Sequence, residues 1–563
     1  MNQIDIGYDE TPVLRTSAEG VGHSICRIDL PSGMIPFTLP DALSPLRNPV
    51  FRMLWMTWAA ANICMWMNDM AAAWLMTSLT SSASTIALVQ TAATLPVFLL
   101  SMPGGALADL VDRRRMMLVT QGWTVIVAAL LAASAWLHRI DPPLLLALVF
   151  ANGAALAMRG PAFLAMVPDI VERPLWHKAF AVTAVASHGA RVIGPLLAGV
   201  LIAGAGVPAV FVLNAVIAVV TGAALLRWRG QTPVNVQASD LPREPFLRAL
   251  RVGLQYAVHA PRMRMTLLRV LVFYVNAVGM LALLPVLVKG HWQGTAATYT
   301  IMFALMGAGA TAASFLLPRL QARWGEDALL VTAVMGHAAA TATVAAVAGP
   351  WQAAPALVVA GAAWLVAGNQ LMTSLQFALP AWVRARGISI YHTVLMGANA
   401  LGALLWGRWA DAAGVQTSLA CAAAATVLAA VLVHITRGGK QRPEDVDPAE
   451  FAPPPRIEGT AAGRVLTTIE YSVTPECLTE FMRVMKETRR SRLSAGAFGW
   501  RLLRDASDRQ RFVEVFSDSS WLEMRRRMLR SVAQDAALRD RRHALHTGPG
   551  KPRVRMLLGS PTD

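Results

Sequence analysis

The sequence predicts an all-α polytopic membrane protein of twelve helices in two six-helix halves, followed by a small α+β domain on the cytoplasmic side. Three observations predict it. Apolar segments of bilayer length fill Phe51 to Thr436, loop charge alternates from one side to the other, and the last hundred residues are polar with strand-like patterning.

The first observation is compositional. Of 563 residues, 55% are hydrophobic and 15% charged, against roughly a quarter charged in a soluble protein. Each apolar run is near the roughly 20 residues that cross a bilayer as a helix. Spans are predicted at 53–79, 84–107, 116–137, 143–167, 178–204 and 208–227, then at 266–288, 297–318, 328–348, 354–379, 387–409 and 415–436. Residues 1–45 lack the basic-then-apolar start of a cleaved signal peptide, so the first span is expected to act as the insertion signal.

Charge then tests the count. With the N-terminus inside, the inner loops carry Arg113–Arg115, Arg173 and Lys178, a basic interval from Arg227 to Arg264, Arg319 and Arg323, Arg384 and Arg386, and Arg437 and Lys440. The outer loops offer Arg139, Lys289 and Arg408. This sign pattern requires an even number of spans with both termini cytoplasmic. The basic interval splits the spans six and six, a layout shared by secondary transporters with a midplane cavity. The organisation is therefore an N-terminal cytoplasmic segment (1–50), a first half (51–227), a central cytoplasmic loop (228–265), a second half (266–436), a linker (437–462) and a C-terminal domain (463–563).

The net charge of +16 is accounted for by inner loops and basic tail helices, without nucleic acid. Cys26, Cys64, Cys421 and Cys477 have neither disulfide nor metal-ligand spacing. A phosphate-binding Gly-x-x-x-x-Gly-Lys-Ser/Thr loop does not occur, so energy must come from a gradient or a partner. No catalytic residue, metal or cofactor is expected.

Between the second and third spans runs Gly105-Ala-Leu-Ala-Asp109-Leu-Val-Asp112-Arg113-Arg114-Arg115. It resembles the signature loop of the major facilitator superfamily, glycine-x-x-x-aspartate before a basic cluster, although the usual arginine after the aspartate is Leu110 here. The resemblance makes Gly105, Asp109, Asp112, Arg113 and Arg114 the gating loop. The glycine permits close helix approach, the acid can face a helix N-terminus or an arginine, and the basic run anchors the loop inside. The equivalent stretch of the second half, Gly309 to Arg323, is degenerate. Phe51-Arg-Met-Leu-Trp55, Trp66-Met-Asn-Asp69, Ala190-Arg191-Val-Ile-Gly194-Pro195, Arg384-Ala-Arg386-Gly387 and Trp406-Gly407 resemble the transmembrane secretion effector branch, the group of the enterobactin exporter. A twelve-helix major facilitator fold follows from that resemblance, as does a siderophore or drug-like cargo class.

Ionisable groups inside a bilayer are functional candidates by default. Asp69, Arg159 and Arg191 are such groups, all in the first half. At about 1.5 Å rise per residue, Asp69 lies roughly 25 Å and Arg191 roughly 20 Å from the inner face, placed to pair, with Arg159 nearer that face. Asp69 can take and release a proton while Arg191 tunes it or holds an anionic cargo; a structural ion pair is the alternative. The second half offers neutral groups. Asn276, Asn369, Gln370 and Gln376 suit hydrogen bonding to cargo, and His337 is either a titrating group or simply hydrogen-bonded. The tryptophans and methionines of the first span either line an adaptable cavity or serve lipid and helix packing.

The tail reads β-α-β-β-α-β. Val465–Tyr471 alternates as a strand, and Thr474-Pro475 opens a helix with Leu478, Phe481, Met482 and Met485 on its apolar face. Two strands follow at Gly499 and Arg511, then a Ser520-x-x-Glu523 capping box, then a closing strand at Val554–Leu558. The order resembles the antibiotic-biosynthesis-monooxygenase-like ferredoxin fold, which pairs into dimers and includes cofactor-free oxygenases. Trp500, His543 and His546 are the candidates for such chemistry, and a structural or regulatory role is favoured because fold does not license function. Arg525–Arg527 is expected on a solvated or membrane-facing surface.

The combined expectation is a proton-coupled exporter of a small amphipathic compound in the bacterial inner membrane, working by alternating access. A membrane-tethered oxygenase fused to a transporter, and a non-transporting scaffold, are the alternatives.

Overall fold

Caps and glycines divide the apolar sequence into helices. The computed structural model describes residues 41–110, 112–228, 246–380, 382–435 and 463–559; the predicted linker, most of the N-terminal segment and residues 229–245 of the central loop lie outside them. Asn48 accepts hydrogen bonds from the N–H groups of Val50 and Phe51 and opens α1 (Pro49–Leu79) with proline at the first position. After α2 (Ala83–Leu110), Asp112 accepts from Arg115 N at 2.8 Å to open α3 (Arg113–Trp136). Asp141 caps α4 (Pro142–Ile170) in the same way.

The two halves repeat one joint. In the first, α5 (Trp176–Ala205) and α6 (Val207–Arg227) are separated by Gly206 alone. In the second, α12 (Arg384–Ala413) and α13 (Val415–Ile435) are separated by Gly414 alone. Their φ values, 78° and 87°, lie where a side chain is strained, and each glycine joins a 30-residue helix to a 21-residue one. The rest of the second half is α8 (Pro261–Val286), α9 (Ala296–Arg323), α10 (Glu326–Ala346) and α11 (Pro350–Phe377).

Eleven helices among the described residues are long and apolar enough to cross a membrane. The predicted first span, α1, falls short in composition: Asn62, Asn68, Asp69 and its tryptophans lower its hydropathy. It is nevertheless 31 residues long and packs in the bundle against α5 and α6. The interval predicted as the central cytoplasmic loop, 228–265, contains the amphipathic α7 (Phe246–His259). This helix packs on α12 and α8 and carries the tail.

The tail contains β1 (Val465–Ser472), α14 (Leu478–Ser494), β2 (Phe498–Arg504), β3 (Arg511–Asp518), α15 (Trp521–Leu529), α16 (Ala533–Ala544) and β4 (Arg553–Leu558). The antiparallel sheet has the order β2-β3-β1-β4, the split β-α-β arrangement expected from the element order. Four details differ from the sequence reading. Two helices, α15 and α16, stand where one was expected between β3 and β4. Met482 is half exposed, and Val484 takes its place beside Phe481 and Met485 in the core. The capping box is half formed: Ser520 accepts from Glu523 N, but the Glu523 carboxylate turns to Arg526. Arg526 and Arg527 are buried rather than solvated, because Asp518 takes the Arg527 fork at 2.8 and 3.0 Å.

At the centre of the tail, the fully buried Glu514 accepts from Trp500 Nε1 at 3.0 Å, Tyr471 Oη at 3.1 Å and Arg492 Nε at 3.3 Å. Burial alone would push its carboxyl up; Arg492, Arg542 and these hydrogen bonds outweigh that and hold it below the usual carboxylate range. A lowered folded-state pKa gives stability that is present above the unfolded value and lost as pH falls through the folded one. Acidification below about pH 4 is therefore expected to loosen the tail. Glu514→Gln is expected to cost about 3 kcal/mol by stranding Arg492 and to flatten that pH dependence. Hydrogen exchange at β1 and β3 amides in the intact chain checks both outcomes.

Candidate functional site

The tail and α7 lie at one end of the bundle, beside Trp382 in the α11–α12 turn. Arg530 sits 5.1 Å from the Trp382 ring, Arg251 5.7 Å from that of Phe498, and Arg248 3.9 Å from Glu523. This end is called the tail side, and the opposite end the far side. Burial distinguishes the two. On the far side one apolar core runs through both halves, from Met67, Met76 and Ile86 to Leu283, Tyr299 and Leu357. On the tail side each half keeps its own core, around Phe51 and Phe163 in the first and around Tyr256 and Tyr391 in the second.

Two contacts fasten the far side. Asp411, near the end of α12, accepts from the N–H groups of Ala83 and Ser84 at 2.6 and 3.2 Å and from Ser82 Oγ at 3.0 Å. Lys289 donates to Thr77 O at 2.7 Å, at the end of α1. A carboxylate thus meets a helix N-terminus and an ammonium meets a C-terminus, each from the opposite half. Small residues bring the helices together below: a Cβ on Gly199 would lie 2.1 Å from Thr300 Cγ2, and one on Gly407 2.7 Å from Ala87 Cβ.

Between the far-side seal and the tail side are two adjoining cavities, with about 420 and 350 Å³ of empty space, open solvent included. The one nearer the far side is lined by Asp69, Gln90 and Tyr299, the other by Arg191, Gly361 and Trp364; Trp66, Leu281 and Phe303 belong to both. Trp66 and Phe303 stand 6.2 Å apart, centroid to centroid, and separate an acidic chamber from a basic one. Walls come from α1, α2 and α5 of the first half and α8, α9 and α11 of the second. The Arg191 guanidinium lies 4.8 Å from the Trp66 ring and 5.8 Å from the Trp364 ring, one tryptophan from each half. Such contacts contribute about 0.5–2 kcal/mol each and leave the guanidinium edge for a planar anion.

The expected pairing of Asp69 with Arg191 is not formed. Among the described residues neither enters an ion pair, because the two tryptophan faces hold the guanidinium and Trp66 stands between the chambers. Arg159 lies apart, in a cavity within the first half and 5.9 Å from the Trp58 ring. The neutral candidates of the second half line neither chamber. Asn276 donates back to Val272 O, Gln370 accepts from Gln321 at 2.8 Å, and Asn369 and Gln376 are exposed. His337 is buried between Phe273 and Trp364. In the loop expected to gate, Asp112 caps α3, and Arg114 donates to Trp228 O at 2.6 Å and Leu226 O at 3.2 Å, at the end of α6. Gly105 lies in α2, and the side chains of Asp109 and Arg113 lie outside what the structure describes.

Sequence reasoning missed Trp364, Tyr299 and Phe303 as chamber walls and Asp411 as a fastener. Asp411 had a signal: an acid two residues from a span end, with Ser82 and Ser84 at the start of another. Asp411→Ala is expected to raise far-side opening about tenfold, the effect of roughly 1.4 kcal/mol on a two-state equilibrium. In a chain otherwise lacking cysteine, the labelling rate of Gln90→Cys by a far-side thiol reagent measures it.

Comparison with known proteins agrees with this architecture. The transmembrane secretion effector family matches residues 40–562. The staphyloferrin A transporter of Staphylococcus aureus is 22% identical over 258 residues, 45% of this chain and 63% of that protein. The aligned stretch thus spans less than two thirds of that relative. Among solved structures, a bacterial homologue of the human lysosomal transporter Spinster, inward-facing and unoccupied, superposes with TM-score 0.56 at 14% identity over 69% of this chain and 97% of that one. A POT family transporter in complex with 5-aminolevulinic acid superposes with TM-score 0.57 at 10% identity over 69% and 96%. The nucleoside transporter NupG gives 0.56 at 12% identity over 69% and 100%. At these identities the likeness is one of fold. A helical bundle in two repeated halves, chambers at their interface and a match over nearly the whole length together place the chain in the transmembrane secretion effector family of major facilitator transporters.

Proposed function

We propose that the protein is a proton-coupled exporter of a small amphipathic anion, of siderophore or drug-like character, working by alternating access across the bacterial inner membrane. The observation that carries this reading is the Arg191 chamber, a cation framed by two tryptophans and placed on the tail-side face of an aromatic divider. An anionic group would meet the guanidinium, and an apolar or aromatic body would lie against Trp66, Phe303 and Trp364. Asp69, beyond the divider, is the proton carrier in this scheme. The staphyloferrin A transporter supports the cargo class.

In this reading α1 is the twelfth span, both termini are cytoplasmic, and the tail side is the cytoplasmic face. The shared far-side core and the separate tail-side cores then describe a conformation closed to the outside. The tail acts as a structural or regulatory module fastened to the second half through α7 and Trp382. Trp500 donates to Glu514, and Ser472 N donates to His546 Nδ1 at 2.9 Å, roles that support this over oxygenase chemistry. Pairing of two tails is a further expectation of the same reading.

Purified protein in liposomes with an imposed pH gradient tests the reading. Anionic amphipathic compounds are expected to accumulate only when the gradient is present; accumulation indifferent to it removes proton coupling.

A further inference from the structure

A third cavity, independent of the two chambers, is lined by residues of the first half on α1, α3, α4 and α6. The empty space between its walls, open solvent included, is about 560 Å³. Three of the side chains on its walls are more than nine-tenths buried and carry polar atoms without a hydrogen-bond partner: Arg159 at 8% exposed, Asn68 at 5% and Asn214 at 5%. The orphaned atoms are Arg159 Nε, Asn68 Nδ2 and both ends of the Asn214 amide. Gln121, on the same wall, already donates to Ala218 O at 2.8 Å and Thr221 Oγ1 at 2.9 Å.

The balance of these groups defines the missing occupant. Three donors stand open against one acceptor, and one donor belongs to a group with a full positive charge. Among the described residues no aspartate or glutamate lines the cavity and Arg159 enters no ion pair. A buried charge in a membrane domain is costly unless a counter-charge, a backbone carbonyl or water offsets it. Water satisfies donors but supplies no charge; a cation would add to the imbalance. The Trp58 ring covers Arg159 from another direction, so the occupant must approach from the cavity.

We infer that this cavity holds one small monovalent anion, such as chloride or a one-carbon carboxylate, bound by Arg159, Asn68 and Asn214. The site is separate from the cargo chamber. An anion here ties α1, α4 and α6 together and completes the packing of the first half.

Equilibrium binding of radiolabelled chloride to the purified full-length protein, with gluconate holding ionic strength constant, tests the inference. Saturable binding near one ion per chain is expected, lost in Arg159→Gln and weakened about tenfold in Asn214→Leu, yet retained in Arg191→Gln. Unlabelled formate displacing chloride identifies a carboxylate as the better occupant; failure to displace it identifies the halide. Chloride is also expected to raise the unfolding midpoint by about 2–4 °C. If Arg159→Gln does not fold, Asn214→Leu and wild-type stoichiometry decide. Absence of saturable binding of either ion overturns the inference, as does binding lost in Arg191→Gln but intact in the Asn214 variant.

Discussion

Arg191→Gln is expected to weaken binding of an anionic cargo by about 30-fold or more, with neutral analogues much less affected. Removing one member of a desolvated charge pair costs about 2–5 kcal/mol, and 2 kcal/mol corresponds to roughly 30-fold. The Trp66 and Trp364 faces would remain, so the apolar part of the cargo keeps its contacts. Arg191→Lys separates charge from shape: an ammonium restores the charge but stacks poorly and lacks the planar fork, so an intermediate loss of about tenfold is expected. Binding calorimetry with paired anionic and neutral analogues measures both variants. Equal losses for the two analogues would show that Arg191 serves packing rather than cargo charge.

Asp69→Asn is expected to abolish gradient-driven accumulation while leaving downhill movement intact. Asparagine keeps the size and hydrogen bonding of the side chain but carries no titratable proton. The Asp69 chamber is walled by both halves, so the proton state of this residue can bias how they close. Accumulation in proteoliposomes should fall to the level reached without a pH gradient, and counterflow exchange of labelled cargo should persist. Unchanged accumulation would remove Asp69 from the coupling mechanism.

The helices were legible because their signals are local. The predicted spans lie within a few residues of the observed helices, since apolar length and flanking caps at Asn48, Asp112 and Asp141 act within one turn. The equivalent joints at Ala205-Gly206-Val207 and Ala413-Gly414-Val415 were also there to be read, as repeats of one tripeptide. The tail topology followed from strand alternation and turn residues. The site was less legible. Charge inside the membrane picked out Asp69, Arg159 and Arg191, but their grouping depends on how helices from opposite halves rotate about their axes. Thus Asp69 and Arg191, placed by sequence near one level, lie in successive chambers separated by Trp66. Asn276 is spent on its own helix, and Phe303 became a wall only when α9 met α1. α7 was hidden because its mixed charge looked like loop, although its apolar residues recur at helical spacing.

The two seams between the halves differ, and that difference bears on how cargo enters. α2 and α12 touch from Asp411–Ser82 through Thr91–Ala400 to Ser101–Thr393. α5 and α9 meet at Gly199–Thr300 and Gly307–Val192, within the far-side part of α9. Toward the tail, Val185 on α5 and Phe315 on α9 turn apolar surface outward, 69% and 75% exposed. In the proposed exporter the first seam would serve as a hinge and the second as a side door onto the lipid leaflet. Cargo dissolved in that leaflet would reach Arg191 laterally, already concentrated by the bilayer. The amphipathic character inferred from the chamber is then also an entry requirement, since the membrane itself would sort compounds before the protein does.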